Sequence, residues 1–362
     1  MTFLEDKIIK EDLDEIDQSN IDWSQLENQS ILITGAYGML ASYLVYELIY
    51  QNEIKNRNIT IIALVKNKDK LEKRFKKYTK KPYFKYIISD LTEPIEYNEE
   101  INYIIHAASF ASAEYYATIP VEVLEPNTIG TYHILNLAKK QKNLKSILYL
   151  STGNIYGLVE NEKYLKENNY GTLSTLDPHS CYEESKRMGE TICNAYHTQY
   201  NLPTKIARIF HAYAPTMNIN DPRVFSSFTR DIINNQNIQM KSEGLAKRSF
   251  CYITDIITGF LTILLKGKDG EPYNLCNTDQ FISIIELAEI MVNIFPEKNL
   301  KVIKVKRDKN ENYIEYHSND EIIPCNQKLK ALGWNPKINC HEGFKRVIIN
   351  NTQKWGKKDY DI

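Results

Sequence analysis

Residues 31–50 read ILITGAYGMLASYLVYELIY, and this stretch decides the fold. Its first four residues form a short apolar run, which is typical of a buried strand in a parallel sheet. Gly35 and Gly38 follow and permit a tight turn into the helical pattern that begins near Met39. Backbone N–H groups at such a helix N-terminus can hold a pyrophosphate, so the pattern predicts a dinucleotide site. A purely structural turn is the alternative.

Further apolar segments continue this pattern along the chain. They cover residues 58–65, 86–89, 101–105 and 146–150, and they alternate with helical stretches. Strands that alternate with helices form right-handed crossovers and a parallel sheet. The sequence therefore predicts an α/β fold with a doubly wound, Rossmann-like parallel sheet, whose ligands bind beyond the carboxyl ends of the strands.

Three polar residues suggest hydride-transfer chemistry. Tyr182 and Lys186 lie four residues apart in HSCYEESKRMGE, so one face of a helix would carry both. The Lys186 ammonium would favour the phenolate of Tyr182, since a tyrosine with its ordinary pKa of about 10 is a poor base at neutral pH. Thr152, directly after the fifth strand, precedes them in the chain. In a chain with 25 tyrosines such a pair can arise by chance, so its weight depends on the glycine turn.

With these motifs in place, the chain resembles the extended short-chain dehydrogenase/reductase family of nucleotide-sugar epimerases, dehydratases, decarboxylases and reductases. The resemblance covers about residues 28–350 and rests on GAYGMLA, the DL pair at Asp90, HAAS, LSTGNIYG and YEESK. Within the family the chain is most similar to UDP-glucuronate decarboxylases, through segments such as SFASAEYYATIPVEVLEPNTIGT and KRSFCYITD.

The resemblance implies three groups of site residues. The catalytic set would be Thr152, Tyr182 and Lys186. The cofactor would contact Gly35, Tyr37, Gly38, Met39, Leu40, Lys66, Asn67, Lys68, Asp90, Leu91, Ala107, Ala108, Ser109, Asn127, Tyr182, Lys186, Ile209 and His211. A nucleotide-activated sugar would contact Ser112, Asn154, His211, Arg223, Val224 and Arg248. The alternatives are surface arginines, a core histidine and, for Asn127, a structural helix residue.

Two residues depart from the family pattern in the turn after the fifth strand. Decarboxylases and 4,6-dehydratases of the family usually carry glutamate where this chain has Asn154, and dehydratases usually carry aspartate where it has Gly153. An amide cannot accept a proton as a general base. We therefore expect dehydration to be poorly supported and decarboxylation of UDP-glucuronate to be absent or very slow.

The residues after the second strand bear on the choice of cofactor. An enzyme that prefers NAD usually has a carboxylate there for the ribose 2′-hydroxyl, whereas this chain has Lys66 and Lys68. These lysines would neutralise a 2′-phosphate, so the sequence favours NADP(H), with NAD(H) as the alternative if they merely solvate a loop. The leading hypothesis is an NADP(H)-dependent reductase of a nucleotide-linked sugar. A redox-neutral, NAD-dependent UDP-glucuronate decarboxylase or 4-epimerase is the alternative, and a dinucleotide-sensing regulator is a third.

Composition bounds the remaining classes. The net charge of −1 gives no electrostatic reason to expect nucleic acid as the principal ligand. The six cysteines form no C-x-x-C pair, which argues against a metal site and fits reduced thiols in the cytoplasm. The acidic start MTFLEDKIIKEDLDEID is not typical of a secretory signal, and no apolar run approaches the length of a membrane span.

The chain is long enough for two domains. We expect an N-terminal arm over 1–28, with Trp23 as its anchor, and a dinucleotide-binding domain over 29–208 and about 249–275. A smaller nucleotide-sugar domain would use about 209–248 and 276–350. The family commonly dimerises through two helices, here near 130–140 and 182–200. The second carries an apolar stripe of Met188, Ile192, Cys193 and Tyr196, so a homodimer is expected, with burial inside the monomer as the alternative.

Overall fold

The computed structural model describes residues 3–178, 180–306 and 321–354. The helices in these ranges are α1 Lys7–Asp17, α2 Met39–Glu53, α3 Lys68–Phe75, α4 Ala113–Thr118, α5 Pro120–Asn127, α6 Ile129–Lys139, α7 Ser180–Tyr200, α8 Val224–Ile233, α9 Ile253–Lys266, α10 Ile284–Val292, α11 Gln327–Lys330 and α12 Cys340–Lys354. The strands are β1 Ser30–Thr34, β2 Thr60–Val65, β3 Phe84–Ile88, β4 Tyr103–His106, β5 Ser146–Thr152, β6 Tyr164–Leu165, β7 Thr204–Ile209, β8 Ala212–Tyr213, β9 Ile238–Met240, β10 Lys247–Ser249, β11 Cys251–Tyr252, β12 Pro272–Leu275, β13 Phe281–Ser283, β14 Val302–Lys304 and β15 Ile323–Pro324.

Seven strands form one parallel sheet in the order β3-β2-β1-β4-β5-β7-β12. The chain starts in the middle, moves to one edge and then returns past β1 to the other edge. This is the doubly wound arrangement predicted from the sequence, and it confirms the fold class. The carboxyl ends of β1 and β4 are adjacent at the switch point, where ligands of such sheets bind.

Both faces of the central strands are covered, so β1, β2 and β4 are mainly apolar, whereas the edge strand β3 leaves Tyr86 and Ile88 exposed. Ile31 and Ile33 of β1 pack into one hydrophobic layer with α2 and α9, while Leu32 points into the opposite layer. That second layer includes Ile134 of α6 and Tyr196 of α7.

The remaining elements form small strand pairs and a helical layer beside the carboxyl edge of the sheet. The pairs are β10 with β13, β14 with β9, β15 with β6, and β11 with β8. Helices α8, α10 and α12 pack on one another. The assignment of this part to a separate sugar-binding domain stays a prediction.

The N-terminal arm is packed into the body of the molecule. Asp12 of α1 is fully buried and accepts hydrogen bonds from Tyr43 (2.6 Å), Tyr252 (2.8 Å) and Arg346 (2.8 Å). Trp23, the expected anchor, is also buried. The arm thereby connects α2, the start of α9 and α12.

The described ranges lack two kinds of feature. Neither a helix long and apolar enough to cross a membrane nor a metal-binding group of three or more His, Cys, Asp or Glu residues occurs there.

Candidate active site

The glycine turn forms a cradle between β1 and α2. Gly35 has a φ of +63° and donates its N–H to the Leu64 carbonyl at 2.8 Å, which fixes the turn against β2. Gly38 is the N-cap of α2 and makes no side-chain capping bond. The first turn of α2, with Met39 and Leu40, therefore presents backbone N–H groups in the way that suits a diphosphate.

The HAAS segment closes the cradle from β4. A side chain at Gly35 would bring its Cβ within 2.8 Å of Ala108 Cα, so the two backbones meet only because residue 35 is glycine. The Thr34 hydroxyl oxygen accepts the N–H groups of Ala107 and Ala108, each at 3.0 Å. Nearby, the Ser109 hydroxyl is buried without a partner among the described residues. A narrow backbone cradle with an unsatisfied hydroxyl beside it fits a dinucleotide.

Beyond β2, both lysines that suggested NADP(H) have carboxylate neighbours. Lys66 Nζ lies 2.5 Å from Asp90 Oδ2, and this hydrogen-bonded pair raises the pKa of the lysine and lowers that of the aspartate. Lys68 lies 3.6 Å from Glu72. The Asn67 side chain accepts a hydrogen bond at the start of α3. A 2′-phosphate would therefore compete with carboxylates that these lysines already contact.

Two other predicted cofactor residues flank this region. Burial raises the pKa of the Tyr37 phenol, against the opposing effects of the Lys66 charge and of a backbone hydrogen bond at Asn67. Leu91 is buried, and its Cβ approaches Gly130 at the start of α6 so closely that a Cβ there would lie 3.0 Å away.

The predicted catalytic residues meet at the end of β5. Thr152 is the last residue of β5, and Tyr182 and Lys186 lie on α7; all three are at least nine-tenths buried. Burial raises the pKa of Tyr182 to about 12, against the opposing effects of a hydrogen bond with Thr152 and the charge of Arg223. Burial lowers the pKa of Lys186 to about 7, and its ammonium donates to the Leu150 carbonyl at 2.7 Å.

Asn127 lies behind this group at the end of α5. Its amide nitrogen donates to the Val123 carbonyl and to the Ser185 hydroxyl, each at 3.0 Å. Its Oδ1 is buried without a partner among the described residues. A buried acceptor of this kind fits a bound water.

Two of the predicted substrate residues lie at helix starts: Ser112 is the N-cap of α4 and Val224 is the first residue of α8. Ile209, which was predicted to contact the cofactor, is the last residue of β7. Burial, followed by the positive charges of Arg248 and Arg223, lowers the pKa of His211 to about 3, which makes this imidazole a neutral group.

Both arginines already have contacts. Arg223 forms two hydrogen bonds with Asp221, of 2.8 and 2.9 Å, and Arg248 donates to the Lys247 carbonyl at 2.6 Å. Because Arg223 also acts on Tyr182, its charge lies within electrostatic reach of both the catalytic phenol and His211.

The turn after β5 contains both departures from the family pattern. A Cβ on Gly153 would lie 2.6 Å from the ring of Phe210, so the ring occupies the space that a side chain there needs. The half-buried Asn154 donates its backbone N–H to the Thr152 hydroxyl at 3.2 Å. The structure therefore places no carboxylate at either of these two positions.

Sequence reasoning missed several residues that shape the site. Tyr116 stacks on Tyr182 with ring centroids 4.8 Å apart, and Tyr149 lies beneath Lys186. Glu183, next to Tyr182, is buried, and burial raises the pKa of its carboxyl to about 7. His106 was visible in HAAS, but its hydrogen bond of 2.8 Å to Thr34 requires knowledge that β1 and β4 are neighbours.

The chain is similar to known proteins in both sequence and structure. Residues 31–276 match the model of the NAD dependent epimerase/dehydratase family. UDP-glucuronic acid decarboxylase 6 from Arabidopsis thaliana is 34% identical over 323 residues, covering 88% of this chain and 87% of that protein. An epimerase from Methanothermobacter thermautotrophicus superposes with a TM-score of 0.73 at 19% identity, covering 95% of this chain and 96% of that one. UDP-glucuronic acid 4-epimerase from Bacillus cereus, solved with UDP-glucuronic acid and NAD, gives 0.72 at 20% identity and 90% and 100% coverage.

Proposed function

The chain belongs to the NAD dependent epimerase/dehydratase family of extended short-chain dehydrogenase/reductase enzymes, and we propose that it is a redox-neutral UDP-glucuronate decarboxylase. The observation that carries the proposal is that Thr152, Tyr182 and Lys186 are buried together where α7 packs on β5, in the same sheet whose strand β1 leads into the glycine turn. The decarboxylases to which the chain is similar over most of its length support the choice of substrate. The NADPH-consuming reductase that the sequence favoured gains no specific support from these relatives, and we set aside the expectation that decarboxylation of UDP-glucuronate is absent or very slow.

The chain's own groups have defined roles in this reaction. Bound NAD would take up a hydride from C4 of the sugar and later return it. Tyr182 Oη receives the proton of the 4-hydroxyl, and the Thr152 hydroxyl orients that oxygen. The resulting 4-keto sugar is a β-keto acid, so the bond from C5 to its carboxylate breaks without an acid at position 154. Carbon dioxide leaves, the bonding electrons form an enolate over C5 and C4, and water then supplies a proton to C5, which restores the 4-ketone. Tyr182 then gives the proton back to the oxygen at C4.

A 4-epimerase of a UDP-sugar is the second candidate, and the turn after β5 favours it. Gly153 and Asn154 supply no carboxylate to the sugar ring, and Phe210 fills the space above Gly153. Epimerisation needs only the proton exchange at Tyr182 and a sugar that presents its other face before the hydride returns.

NAD(H) is the cofactor that we propose. Lys66 and Lys68 have carboxylate neighbours, which weakens the argument for a 2′-phosphate. For the nucleotide sugar we propose Arg223 and Arg248 as diphosphate ligands and His211 as a neutral pocket group, because the two guanidinium charges act on the same imidazole. These residues lie in the predicted smaller domain or at its border.

The test is incubation with UDP-glucuronate, with and without added NAD. UDP-pentose by mass, at a turnover above about 1 s⁻¹, supports the decarboxylase. UDP-galacturonate, which has the mass of the substrate and is separated by chromatography, supports the epimerase instead. Oxidation of NADPH by a panel of nucleotide-linked ketosugars, with neither product, would restore the reductase. Tyr182→Phe is the inactive control, and Asn154→Glu shows whether a carboxylate at this position increases pentose formation.

We also propose a homodimer formed by α6 and α7. Tyr132 and Met188 are each 50% exposed on these helices, and Tyr200 is 41% exposed. Cys193 and Tyr196 of the predicted stripe are instead buried in the monomer, so only part of that stripe remains for a partner. Sedimentation at micromolar concentration distinguishes a dimer from a monomer of 42.2 kDa, and Met188→Lys should shift the equilibrium toward the monomer.

All six cysteines are free, which is the basis for proposing a reducing compartment such as the cytoplasm.

A further inference from the structure

Lys186 occupies an unusual environment for an ammonium group. Its side chain is almost completely buried, and its Nζ donates to the Leu150 carbonyl at 2.7 Å. The same nitrogen lies 5.0 Å from the centroid of the Tyr149 ring. Burial of a cation is costly unless other groups replace its hydration. The face of an aromatic ring does so, because its negative quadrupole attracts a cation within about 6 Å.

Tyr149 is held rigidly in this position. It lies in β5 between His106 of β4 and Ile206 of β7, in the interior of the sheet, and it is 1% exposed. Its ring packs 5.6 Å from the imidazole of His106. Because strands on both sides fix Tyr149, its ring can fix the position of the Lys186 ammonium that lies over it.

Gly189 makes the close approach of α7 possible. A Cβ on Gly189 would lie 2.0 Å from the Tyr149 hydroxyl and 2.5 Å from Cζ of the ring, so any larger residue would displace the ring or the helix. Gly189 is three residues after Lys186 and lies on the same face of α7. The glycine and the tyrosine therefore act as a matched pair directly beneath the lysine.

The hydroxyl of Tyr149 does not account for its placement. Burial raises the pKa of this phenol, against the smaller opposing effect of the Thr131 hydroxyl, but the oxygen makes no hydrogen bond of regular geometry with the described residues. An unpaired buried hydroxyl is unfavourable, so the contribution that the residue makes here comes from its ring.

We propose that Tyr149 is a positioning residue whose ring face seats the Lys186 ammonium beside Tyr182. The inference rests on the proposed function only in assigning Lys186 to the reaction. The seating itself is a property of the free protein and is testable without turnover.

The direct test replaces Tyr149 by phenylalanine and then by phenylalanines with one, two and three ring fluorines. These side chains have nearly the same shape, while each fluorine weakens the quadrupole of the ring. The pKa of Lys186 is followed by NMR of ¹³C-labelled lysine, with its signal assigned by its loss in Lys186→Met. We expect phenylalanine to leave the pKa near the wild-type value and the fluorinated series to lower it stepwise, by about one pH unit in total. The proposal is overturned if the pKa of Lys186 does not change across the fluorinated series. It is also overturned if Tyr149→Phe alone already lowers that pKa by the full amount.

Turnover provides the second measurement. If Lys186 must be an ammonium, the alkaline limb of the kcat–pH profile should move to lower pH in step with the NMR values, while thermal unfolding stays unchanged. An unmoved profile with a shifted lysine pKa overturns the link between the seat and the reaction. If wild-type protein has no activity on UDP-glucuronate yet Lys186 responds to fluorination, the proposed substrate is wrong and the seat stands.

Discussion

Tyr182→Phe should abolish turnover, and the environment of Tyr182 indicates how much the cofactor must contribute. Burial sets the pKa of Tyr182 at about 12 and that of Lys186 at about 7 in the free protein. Between these pH values the phenol and the amine are both neutral, whereas proton removal from the sugar needs the phenolate with the ammonium beside it. The two pKa values differ by about 5, so the required form has a population of about 10⁻⁵, a gap of about 7 kcal/mol.

Bound NAD would supply a positively charged nicotinamide ring, and we expect it to narrow this gap, because a positive charge close to Tyr182 would favour the phenolate. The assay is an ultraviolet titration of phenolate in wild type and in Tyr182→Phe, with and without NAD. The difference between the two proteins isolates one of the 25 tyrosines. Without NAD, no difference should appear below about pH 10, and with NAD it should appear several units lower. Turnover of Tyr182→Phe should fall about 10²–10⁴-fold with NAD affinity nearly intact. A Tyr182 phenolate at neutral pH in the free protein would refute the burial argument, and more than half the wild-type turnover would remove Tyr182 from the mechanism.

Three other predictions concern the cofactor, the arm and the turn after β5. Calorimetry should show tighter binding of NAD than of NADP, and Asp90→Asn should reduce this difference in affinity because it frees Lys66 to bind a 2′-phosphate. An unchanged ratio of the two affinities would show that the Lys66–Asp90 ion pair does not determine the choice of cofactor. Burial raises the pKa of Asp12 from 3.8 to about 6, so its contribution to stability is greatest below pH 4 and is lost as the pH rises through 6. The free energy of unfolding should therefore fall between pH 4 and 7 by up to about 3 kcal/mol less in Asp12→Asn than in the wild type. An equal fall in both proteins would contradict this. Gly153→Asp should lower the free energy of unfolding by about 1–3 kcal/mol, because its side chain would be overpacked against Phe210, and adding Phe210→Leu should restore that stability. Wild-type stability of the single variant would show that the Phe210 ring moves aside.

The sequence was sufficient for the features that depend on local spacing. The glycine turn predicted the start of α2, and the spacing of four between Tyr182 and Lys186 placed both on α7. The alternation of strands and helices predicted the sheet. The first two features are each set by residues close together in the sequence, and the third needs only the order of the local segments.

Features that depend on distant contacts were not predictable in this way. The pairing of Lys66 with Asp90 requires β2 and β3 to be neighbours, and without that knowledge Lys66 looked available for a phosphate. The arm is fixed by Asp12, whose partner Tyr252 lies 240 residues along the chain. The depressed pKa of Lys186 arises from burial, which the spacing of polar residues does not reveal.

The two departures in the turn after β5 have different physical causes. At Gly153 the ring of Phe210, which comes from the end of another strand, occupies the space of a side chain, so an acid could enter only if both positions changed. At Asn154 the observed contact to Thr152 is made by the backbone N–H, which any residue other than proline can supply. Packing therefore opposes an acid at 153, whereas this contact leaves the side chain at 154 open to selection by chemistry. Dehydration needs an acid and a base at neighbouring carbons and suffers from both losses. A reaction whose 4-keto intermediate only rotates in the site needs just the proton that Tyr182 carries, and a reaction that loses carbon dioxide needs in addition one proton from water at C5.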